Sequence, residues 1–401
     1  MNDARRLIIF SYEYPFSYSE TFLHNEIQTL QKKYKEIIII PSRIVWNKNL
    51  KYENKRVLPS GVSIVQENFS FRLIKPFLFI QLLIISFRFR SKFGIKTVFA
   101  VIKQSLKISF LIGFMAKKKI IQKDAIYYSY WKNESATAIA YLRNRGKIGC
   151  AVSRAHREDL YEEFGGLKPF DNFVGHALDK VYCISLDGKD YLLKKGFQAS
   201  KVVVSRLGVY PSEVCSMYSS EVLHILSVSN VVSVKRVNLI AKAVLQLKMK
   251  VYWVHIGGGK ELNEVQKLVE TNSNENICIE LMGGQSHSYV YDYYRNNFVD
   301  LFLNVSSSEG LPVSIMEAYS FGVPCMACDV GGNAEIIDPS WRFLLPAALD
   351  ENQLANAIKD FYENRTLWKK FRRDAFQIWK NKYNAIDNFY HFAEDLENSC
   401  Y

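Results

Sequence analysis

Short apolar runs alternate with longer helical stretches along the chain, and this alternation limits the possible folds more than any other feature. Apolar runs of this length predict strands, and the stretches between them carry helical periodicity. Such strand–helix repetition is typical of α/β domains with parallel sheets. The predicted strands are Leu7–Phe10, Ile37–Pro41, Ala125–Tyr130, Cys150–Ser153, Lys180–Ile184, His224–Ser229, Lys250–Ile256, Ile277–Leu281, Leu301–Val305 and Val323–Cys328.

A chain of 401 residues is long enough for two such domains, each with its own core. Gly208, Pro211 and several serines interrupt the periodicity near residues 207–220. We therefore expect a first domain over residues 1–206 and a second over residues 207–380. The segment 381–401 is expected to form a helix that packs back on the first domain. Two α/β halves of this kind predict a ligand cleft between them, at the carboxyl ends of the strands.

The net charge of +12 is unevenly distributed. Residues 71–123 contain twelve Lys or Arg and no Asp or Glu, interleaved with large apolar residues such as Phe77 and Phe87. This pattern favours an anionic membrane surface as a partner. A pair of ordinary helices with solvated lysines is the alternative. Nucleic acid is not expected, since no binding motif accompanies the charge.

No signal peptide and no uncharged apolar run of spanning length are recognised in the sequence. We therefore expect a cytoplasmic protein that lies peripherally on the inner face of the cell membrane.

The segment Ser308-Glu309-Gly310-Leu311-Pro312 follows a predicted strand directly. Gly310 allows a tight turn, and Pro312 suits the first residue of a helix. This geometry directs backbone N–H groups and the positive end of the helix dipole at a site where a diphosphate can bind. Glu317 follows within the helix, so two carboxylates can face one ligand. The alternative is that Glu309 is a cap and Glu317 a surface residue.

The spacing of these glutamates in SSSEGLPVSIMEAYSFGVPCMACDVGGNAEII resembles the signature of family-4 retaining glycosyltransferases with the GT-B fold. The resemblance implies two Rossmann-like domains that face each other across a cleft. It also implies that Glu309 contacts the hydroxyls of the donor sugar and that Glu317 binds the ribose of the nucleotide.

The segment ILSVSNVVSVKRV resembles the phosphate-binding loop of the same family. Lys235 takes the place of the family's lysine, which would neutralise the leaving diphosphate. Asn230 stands where the family has an arginine, and Arg236 is a partial substitute. Two glycine-containing turns are similar to those the family places against the nucleotide, and they contain Gly257, Gly258, Met282 and Gly283.

The first domain resembles the family more weakly. The segment SRAHREDLYEE is similar to the family's histidine loop, which implies that His156 faces the donor sugar and diphosphate. PFSYSETFLHNEI resembles a bacterial variant in which Ser19 and Thr21 contact donor or acceptor. A simple N-cap role for Ser19 is equally compatible with the sequence.

The resemblance implies a retaining hexosyltransferase that uses a nucleotide-sugar, a UDP-sugar in preference to a GDP-sugar, and no other cofactor. We expect no metal, since no D-x-D motif or His/Cys cluster accompanies the motif region. The expected acceptor is a glycan or a saccharide linked to polyprenyl diphosphate, in the synthesis of bacterial capsule, O-antigen (lipopolysaccharide) or exopolysaccharide. The alternatives are a non-catalytic membrane-bound GT-B scaffold protein and a nucleotide-sugar epimerase.

Overall fold

A computed structural model describes residues 6–16, 20–42, 57–66, 70–88, 95–165, 168–212, 221–272, 275–337 and 343–399. The chain divides into two compact units. Unit 1 comprises Met1–Leu207 and Ile386–Tyr401, and unit 2 comprises Gly208–Ala385. The structural divisions thus fall after Leu207 and Ala385, whereas the sequence placed them after residues 206 and 380.

Unit 1 contains a sheet of seven parallel strands in the order β3-β2-β1-β4-β5-β6-β7. The strands are β1 (Arg6–Ser11), β2 (Glu36–Pro41), β3 (Val62–Ile64), β4 (Ile126–Ser129), β5 (Cys150–Ala155), β6 (Lys180–Cys183) and β7 (Val202–Val204). The helices are α1 (Thr21–Leu30), α2 (Pro76–Arg88), α3 (Ile95–Lys117), α4 (Glu134–Asn144), α5 (Arg157–Leu160), α6 (Glu162–Gly165), α7 (Asp171–Ala177) and α8 (Leu186–Lys194).

The sheet of unit 1 is buried on both faces, as an all-parallel sheet must be. Side chains alternate along each strand, so Ile8 and Phe10 of β1 enter one core cluster while Leu7 and Ile9 enter the other. This explains why the strands read as continuous apolar runs in the sequence.

Unit 2 contains six parallel strands in the order β10-β9-β8-β11-β12-β13. The strands are β8 (Leu223–Val228), β9 (Val251–Ile256), β10 (Ile277–Leu281), β11 (Leu301–Asn304), β12 (Cys325–Cys328) and β13 (Leu344–Leu345). The helices are α9 (Val237–Leu245), α10 (Leu262–Thr271), α11 (His287–Asn296), α12 (Val313–Ser320), α13 (Asn333–Ile336), α14 (Glu351–Glu363) and α15 (Trp368–Lys382). Numbered from its own first strand, this order is 3-2-1-4-5-6, that of a Rossmann fold.

The last helix, α16 (Ala385–Asn398), lies almost entirely in unit 1. The centroid of its Phe392 ring lies 4.9 Å from that of Tyr182 on β6, in the sheet of unit 1. Asp395 accepts hydrogen bonds from Lys180 at 2.8 Å and from the Tyr182 hydroxyl at 2.8 Å. Apolar packing and a charge pair therefore hold this helix to the strands of unit 1.

Among the described residues, one helical segment is long and apolar enough by length and composition to cross a membrane, residues 97–117 within α3. It contains Lys103 and Lys107, so it is not the uninterrupted uncharged run that the sequence criterion required. Of its most apolar window, 56% is buried inside the protein. The core of unit 1 therefore accounts for much of its apolar character.

Candidate active site

The candidate site in unit 2 lies at the carboxyl ends of β8 and β11, where the strand order reverses direction. Open α/β sheets bind ligands at this position. The loop after β8 and the loop after β11 are joined there, since the N–H of Ser307 donates to the carbonyl of Val234 at 2.8 Å. The connection brings residues far apart in sequence into one site.

Glu309 and Lys235 form an ion pair in this site. Nζ of Lys235 lies 2.5 Å from Oε1 of Glu309, and Nδ2 of Asn304 lies 3.4 Å from the same oxygen. Glu309 is only 8% exposed, although it lies in a loop. A buried carboxylate needs a counter-charge and hydrogen bonds, and Lys235 and Asn304 supply them. The alternative interpretation of Glu309 as a simple helix cap does not describe these contacts.

Two glycines that the sequence analysis did not single out fix the Glu309 loop. Gly331 has a φ of +53°, and a Cβ there would lie 1.9 Å from the carbonyl oxygen of Glu309. The N–H of Gly332 donates to the carbonyl of Gly310 at 2.8 Å. The loop after β12 thus packs against the backbone of Glu309 at a distance that only glycine permits. Both glycines belong to the sequence segment that carries the family resemblance, and that segment is the feature from which they could have been predicted.

Arg236 links three loops of unit 2. It has a left-handed backbone, with φ of +49°, between a 3₁₀ turn and α9. Its Nε donates to the carbonyl of Val305 at 2.6 Å, and the other guanidinium nitrogens lie 3.1–3.3 Å from the Ser306 and Ala347 carbonyls and from Sγ of Cys328. The guanidinium thus contacts protein atoms of these loops. Its predicted role as a partial substitute for the family's arginine stays a prediction.

Pro312 is the N-cap of α12, so the helix begins at Val313, and Pro312 is not its first residue as the sequence suggested. The reason is the ψ of Pro312, 117°, which is extended rather than helical. Gly310 and Leu311 lie before this cap, and Leu311 is buried. The first free N–H groups of the helix therefore belong to residues after Pro312.

Glu317 is buried within α12 but keeps one exposed partner. Its Oε1 lies 2.7 Å from Nε2 of His287, the first residue of α11, and the two side chains are 7% and 55% exposed. The His287 ring packs against Tyr291 with centroids 4.7 Å apart. No local pattern in the sequence signalled His287, because only the sheet topology brings α11 to α12.

Turns after β8, β9 and β10 meet at the same edge of unit 2. A Cβ on Gly257 would lie 1.7 Å from the carbonyl oxygen of Ser229, and the N–H of Gly257 donates to the carbonyl of Gly283 at 2.8 Å. Gly258 accepts a hydrogen bond from the N–H of Val231 at 2.9 Å. The N–H of Met282 donates to the carbonyl of His255.

The structure thus brings the predicted turns containing Gly257, Gly258, Met282 and Gly283 together with the loop of Asn230. Asn230 itself is exposed.

His156 lies at the carboxyl end of β5 in unit 1, before the short helix α5. Its Nε2 lies 3.1 Å from the carbonyl oxygen of Tyr130, which can only accept, so Nε2 carries the proton and Nδ1 keeps its lone pair. Burial and the nearby Arg154 lower the pKa of His156 to about 3. The ring is therefore neutral at neutral pH.

Asp159 fixes the backbone around His156. Its two carboxylate oxygens accept the N–H groups of His156 and Lys132, each at 2.6 Å. Burial raises the pKa of Asp159 to about 7, against the opposing effect of Lys132. The Lys132 side chain is almost fully buried and pairs with Asp171 at 2.6 Å.

The structure places Glu20, and not Ser19, at the N-cap of α1, because the backbone becomes helical only at Thr21. Ser19 itself lies outside the described residues, as does the side chain of Thr21. The Glu20 carboxylate accepts three consecutive backbone N–H groups, those of Tyr12, Glu13 and Tyr14, at 2.6–2.9 Å. Glu20 therefore closes the loop between β1 and α1.

Glu20 also reaches the histidine loop through Trp131. The indole Nε1 donates to Oε1 of Glu20 at 2.7 Å, and the Trp131 and His156 rings lie 4.5 Å apart. Neither Glu20 nor Trp131 was among the predicted site residues. The first β–α loop and the loops after β4 and β5 thus form one connected structure in unit 1.

A cavity of about 320 Å³ opens beside this network in unit 1. Its walls include Trp131, Lys132 and Asp159 together with Gln104 and Lys107 of α3. Hydroxyl, amide and charged groups of both signs line the cavity beside the aromatic rings of Tyr12, Trp131 and Phe170, and this lining suits a polar ligand such as a saccharide.

Within the described ranges, no three His, Cys, Asp or Glu side chains are grouped so as to hold a metal ion. Cys325 and Cys328, the C-x-x-C pair of the sequence, are buried in β12. Burial raises the pKa of the Cys328 thiol to about 11. Both thiols are therefore protonated at neutral pH.

Residues 219–378 match the family model described as glycosyl transferases group 1. The chain is 28% identical over 196 residues to the O-antigen biosynthesis glycosyltransferase WbnH of Escherichia coli, which covers 48% of this chain and 54% of WbnH. The chain thus spans about half the length of this curated relative.

Two solved structures share the fold over nearly the whole chain. HepE of Anabaena, in complex with UDP, superposes with a TM-score of 0.71 at 14% identity and covers 98% of this chain and 100% of HepE. The lipopolysaccharide outer core galactosyltransferase WaaB, in its apo form, has a TM-score of 0.69 at 14% identity, with 98% and 99% covered. The two Rossmann-like units therefore form the GT-B fold, which confirms the predicted fold class.

Proposed function

We propose that the protein is a glycosyltransferase that moves a sugar from a nucleotide-sugar donor to a saccharide acceptor in polysaccharide synthesis. The observation that carries the proposal is the ion pair of the buried Glu309 with Lys235 at the carboxyl edge of unit 2. It lies within the segment that matches the glycosyl transferases group 1 model. The names of WbnH and WaaB support the polysaccharide context.

In this proposal unit 2 binds the donor. Lys235 contacts the diphosphate, and Glu309 accepts hydrogen bonds from the sugar hydroxyls. Glu317, held by His287, receives the ribose hydroxyls. Gly283 leaves backbone room for the nucleotide, since a Cβ there would meet no atom within 4 Å, and the close fit of Gly257 against the Ser229 carbonyl fixes the neighbouring turn. UDP is the preferred nucleotide of the proposal, because HepE was solved with UDP.

The proposed reaction retains the anomeric configuration and uses no metal. The bond between the anomeric carbon and the diphosphate oxygen breaks, and the acceptor oxygen bonds to the same face of that carbon. The acceptor proton passes to the leaving phosphate. Lys235 stabilises the charge that develops on the diphosphate, which is the largest electrostatic requirement of the step.

The acceptor in this proposal enters unit 1, where the cavity beside Trp131 provides a polar binding surface. Asp159 lines that cavity, and the neutral His156 ring packs 4.5 Å from the Trp131 ring beside it. We include a lipid link on the acceptor, polyprenyl diphosphate, in the proposal. The basic and apolar character of residues 71–123 supports it.

A thermal-shift titration with UDP, GDP, ADP and dTDP, with and without EDTA, tests the donor part. A ligand at a hundredfold excess over its dissociation constant adds about 2.7 kcal/mol to the free energy of unfolding. We expect stabilisation by UDP that EDTA leaves unchanged. Failure of all four nucleotides to stabilise the protein contradicts the proposal.

A second candidate function, a non-catalytic GT-B scaffold, is favoured by one observation. Asn230 is exposed at the end of β8, where the resembled family has an arginine. Slow hydrolysis of the sugar from a bound UDP-sugar separates the candidates, because a scaffold releases none. Conversion of the donor to its epimer without acceptor would instead identify an epimerase.

A further inference from the structure

The helix α2 carries an exposed apolar stripe. Phe77, Ile80, Ile84 and Phe87 are 53–73% exposed. Their spacing of three, four and three residues places them along one face of the helix. The opposite face, with Leu78 and Leu82, is buried in the core of unit 1. The stripe is thus additional to the face that folding requires.

The neighbouring helix α3 also exposes apolar side chains. Helices α2 and α3 pack against each other. In the first turns of α3, Val98, Phe99 and Ile102 are exposed, whereas the second half of the helix is largely buried. We call the seven exposed side chains the α2–α3 patch, and its members are Phe77, Ile80, Ile84, Phe87, Val98, Phe99 and Ile102. A grouping of this size exceeds the scattered apolar residues of an ordinary surface.

Exposed cations lie next to the patch in sequence. Arg88 directly follows Phe87, and Lys103 directly follows Ile102. Lys75 lies two residues before Phe77. All three cations are exposed. Residues 71–123 contain no Asp or Glu. A bilayer with anionic lipids presents negative charge over its whole surface and therefore complements a region whose charges are all positive.

We propose that the α2–α3 patch is a membrane-docking surface that inserts its apolar side chains into the interface of an anionic bilayer. Lys75, Arg88 and Lys103 then lie at the level of the lipid headgroups, where they attract negative charge. The stripe on α2 lies parallel to the bilayer, as in other interfacial helices.

The docking surface also bears on the acceptor, and this step rests on the proposed function. Helix α3 leads from the patch to the wall of the unit 1 cavity, since Gln104 and Lys107 line that cavity. Lys107 follows Ile102 by five residues, which is roughly 7.5 Å along a helix axis. The cavity therefore lies within reach of the headgroup layer, and the acceptor enters it from the membrane surface as a lipid-linked saccharide.

Vesicle co-sedimentation tests the proposal. The full chain is mixed with vesicles of phosphatidylcholine alone or with about 30% phosphatidylglycerol, which supplies a negative surface. The double variant Phe77→Glu/Ile84→Glu is compared with Leu186→Glu, which introduces one glutamate at an apolar residue of α8 that is 48% exposed. We expect binding only to the anionic vesicles, at least about tenfold weaker for the double variant and unchanged for Leu186→Glu.

Salt adds an independent measure. Raising the ionic strength from about 0.1 M to about 1 M shortens the Debye length from about 10 Å to about 3 Å, so the bound fraction must fall. Equal binding of wild type and double variant, or binding that ignores both lipid charge and salt, overturns the proposal. A change of oligomeric state in the double variant, seen by sedimentation velocity without vesicles, would instead assign the patch to a second copy.

Two controls keep the outcomes distinct. The thermal midpoint shows that the double variant is folded, and the UDP-dependent shift shows that unit 2 is intact. Retained UDP binding with no vesicle binding by the wild type overturns the docking surface and leaves the donor proposal standing. Vesicle binding without any nucleotide binding does the reverse.

Discussion

The ammonium of Lys235 lies 2.5 Å from the carboxylate of Glu309, so these two charged groups of the candidate site neutralise each other. A diphosphate attracts the ammonium, and sugar hydroxyls donate to the carboxylate. In the proposed function, donor binding exchanges this ion pair for two separate interactions. Because the proposal assigns the two residues to different parts of the donor, each residue can be tested separately.

Lys235→Ala should lower the rate of sugar transfer by about a hundredfold or more, the usual cost of losing one group that stabilises transition-state charge. Turnover of a UDP-sugar measures this. The control is Lys242→Ala, which removes an exposed lysine on the next helix, α9, and should leave turnover unchanged. Turnover of Lys235→Ala close to that of the control would contradict the assignment.

Glu309→Gln should abolish transfer while the protein stays folded, because the amide oxygen keeps the shape and one acceptor of the carboxylate. The thermal midpoint and the circular dichroism spectrum report the fold, and donor turnover reports the function. A variant that turns over donor at the normal rate removes Glu309 from the site.

His287→Ala should weaken UDP binding by about tenfold, or 1.4 kcal/mol, since Glu317 loses the partner that orients it. Titration calorimetry with UDP and with 2′,3′-dideoxy-UDP distinguishes orientation from general damage. The loss should be absent with the dideoxy nucleotide, which offers Glu317 no hydroxyl. An equal loss of affinity for both nucleotides would show that His287 does not act through the ribose hydroxyls.

Gly331→Ala should lower the free energy of unfolding by about 2–4 kcal/mol and weaken UDP binding, because its Cβ meets the Glu309 carbonyl at 1.9 Å. Gly146→Ala is the matched control, since Gly146 also has a positive φ, +64°, but no atom near the added Cβ. The control should cost only about 1 kcal/mol, the strain of a left-handed alanine. Equal losses in the two variants would show that the close approach is unimportant.

Asp159 and His156 should act oppositely on the pH dependence of stability. The pKa of His156 falls to about 3 on folding, so the unfolded chain binds more protons below its ordinary 6.5, and stability rises with pH up to that value. The pKa of Asp159 rises from 3.8 to about 7, so the folded chain binds more protons in between, and stability falls across that window.

Asp159→Asn should therefore make the free energy of unfolding rise more steeply between about pH 4 and pH 6.5 than it does in the wild type. The asparagine variant loses stability at every pH, but the comparison of slopes is independent of that loss. Chemical denaturation at several pH values measures both. Parallel curves for variant and wild type would show that Asp159 titrates normally.

The sequence predicted the long central strands because each is buried on both faces and reads as an apolar run. The strands it did not predict are β3, β7 and β13, which have two or three residues each and lie at the edges of their sheets. So short an element carries no measurable pattern. Its pairing depends on the neighbouring strand.

The residues of the candidate site also divide into those that a local sequence pattern reveals and those that only the fold brings together. The motif around Glu309 and Lys235 is local, since each lies in a loop directly after an apolar strand. His287, Gly331 and Trp131 became visible only when the fold brought separate loops together. Ser19 illustrates a boundary error, because its side chain suits an N-cap while the backbone places Glu20 there.

The Glu20 carboxylate makes the first β–α loop of unit 1 chemically different from the corresponding loop of unit 2. Successive backbone N–H groups form a nest, a concavity that receives an anion, and Rossmann folds use the first β–α loop for phosphate in this way. In unit 1 that receptacle already holds the chain's own carboxylate, whereas unit 2 presents Lys235 in the corresponding loop. The two units therefore share an architecture and differ in charge at this loop: unit 1 carries its own anion there, whereas unit 2, in the proposed function, receives the anion of a ligand.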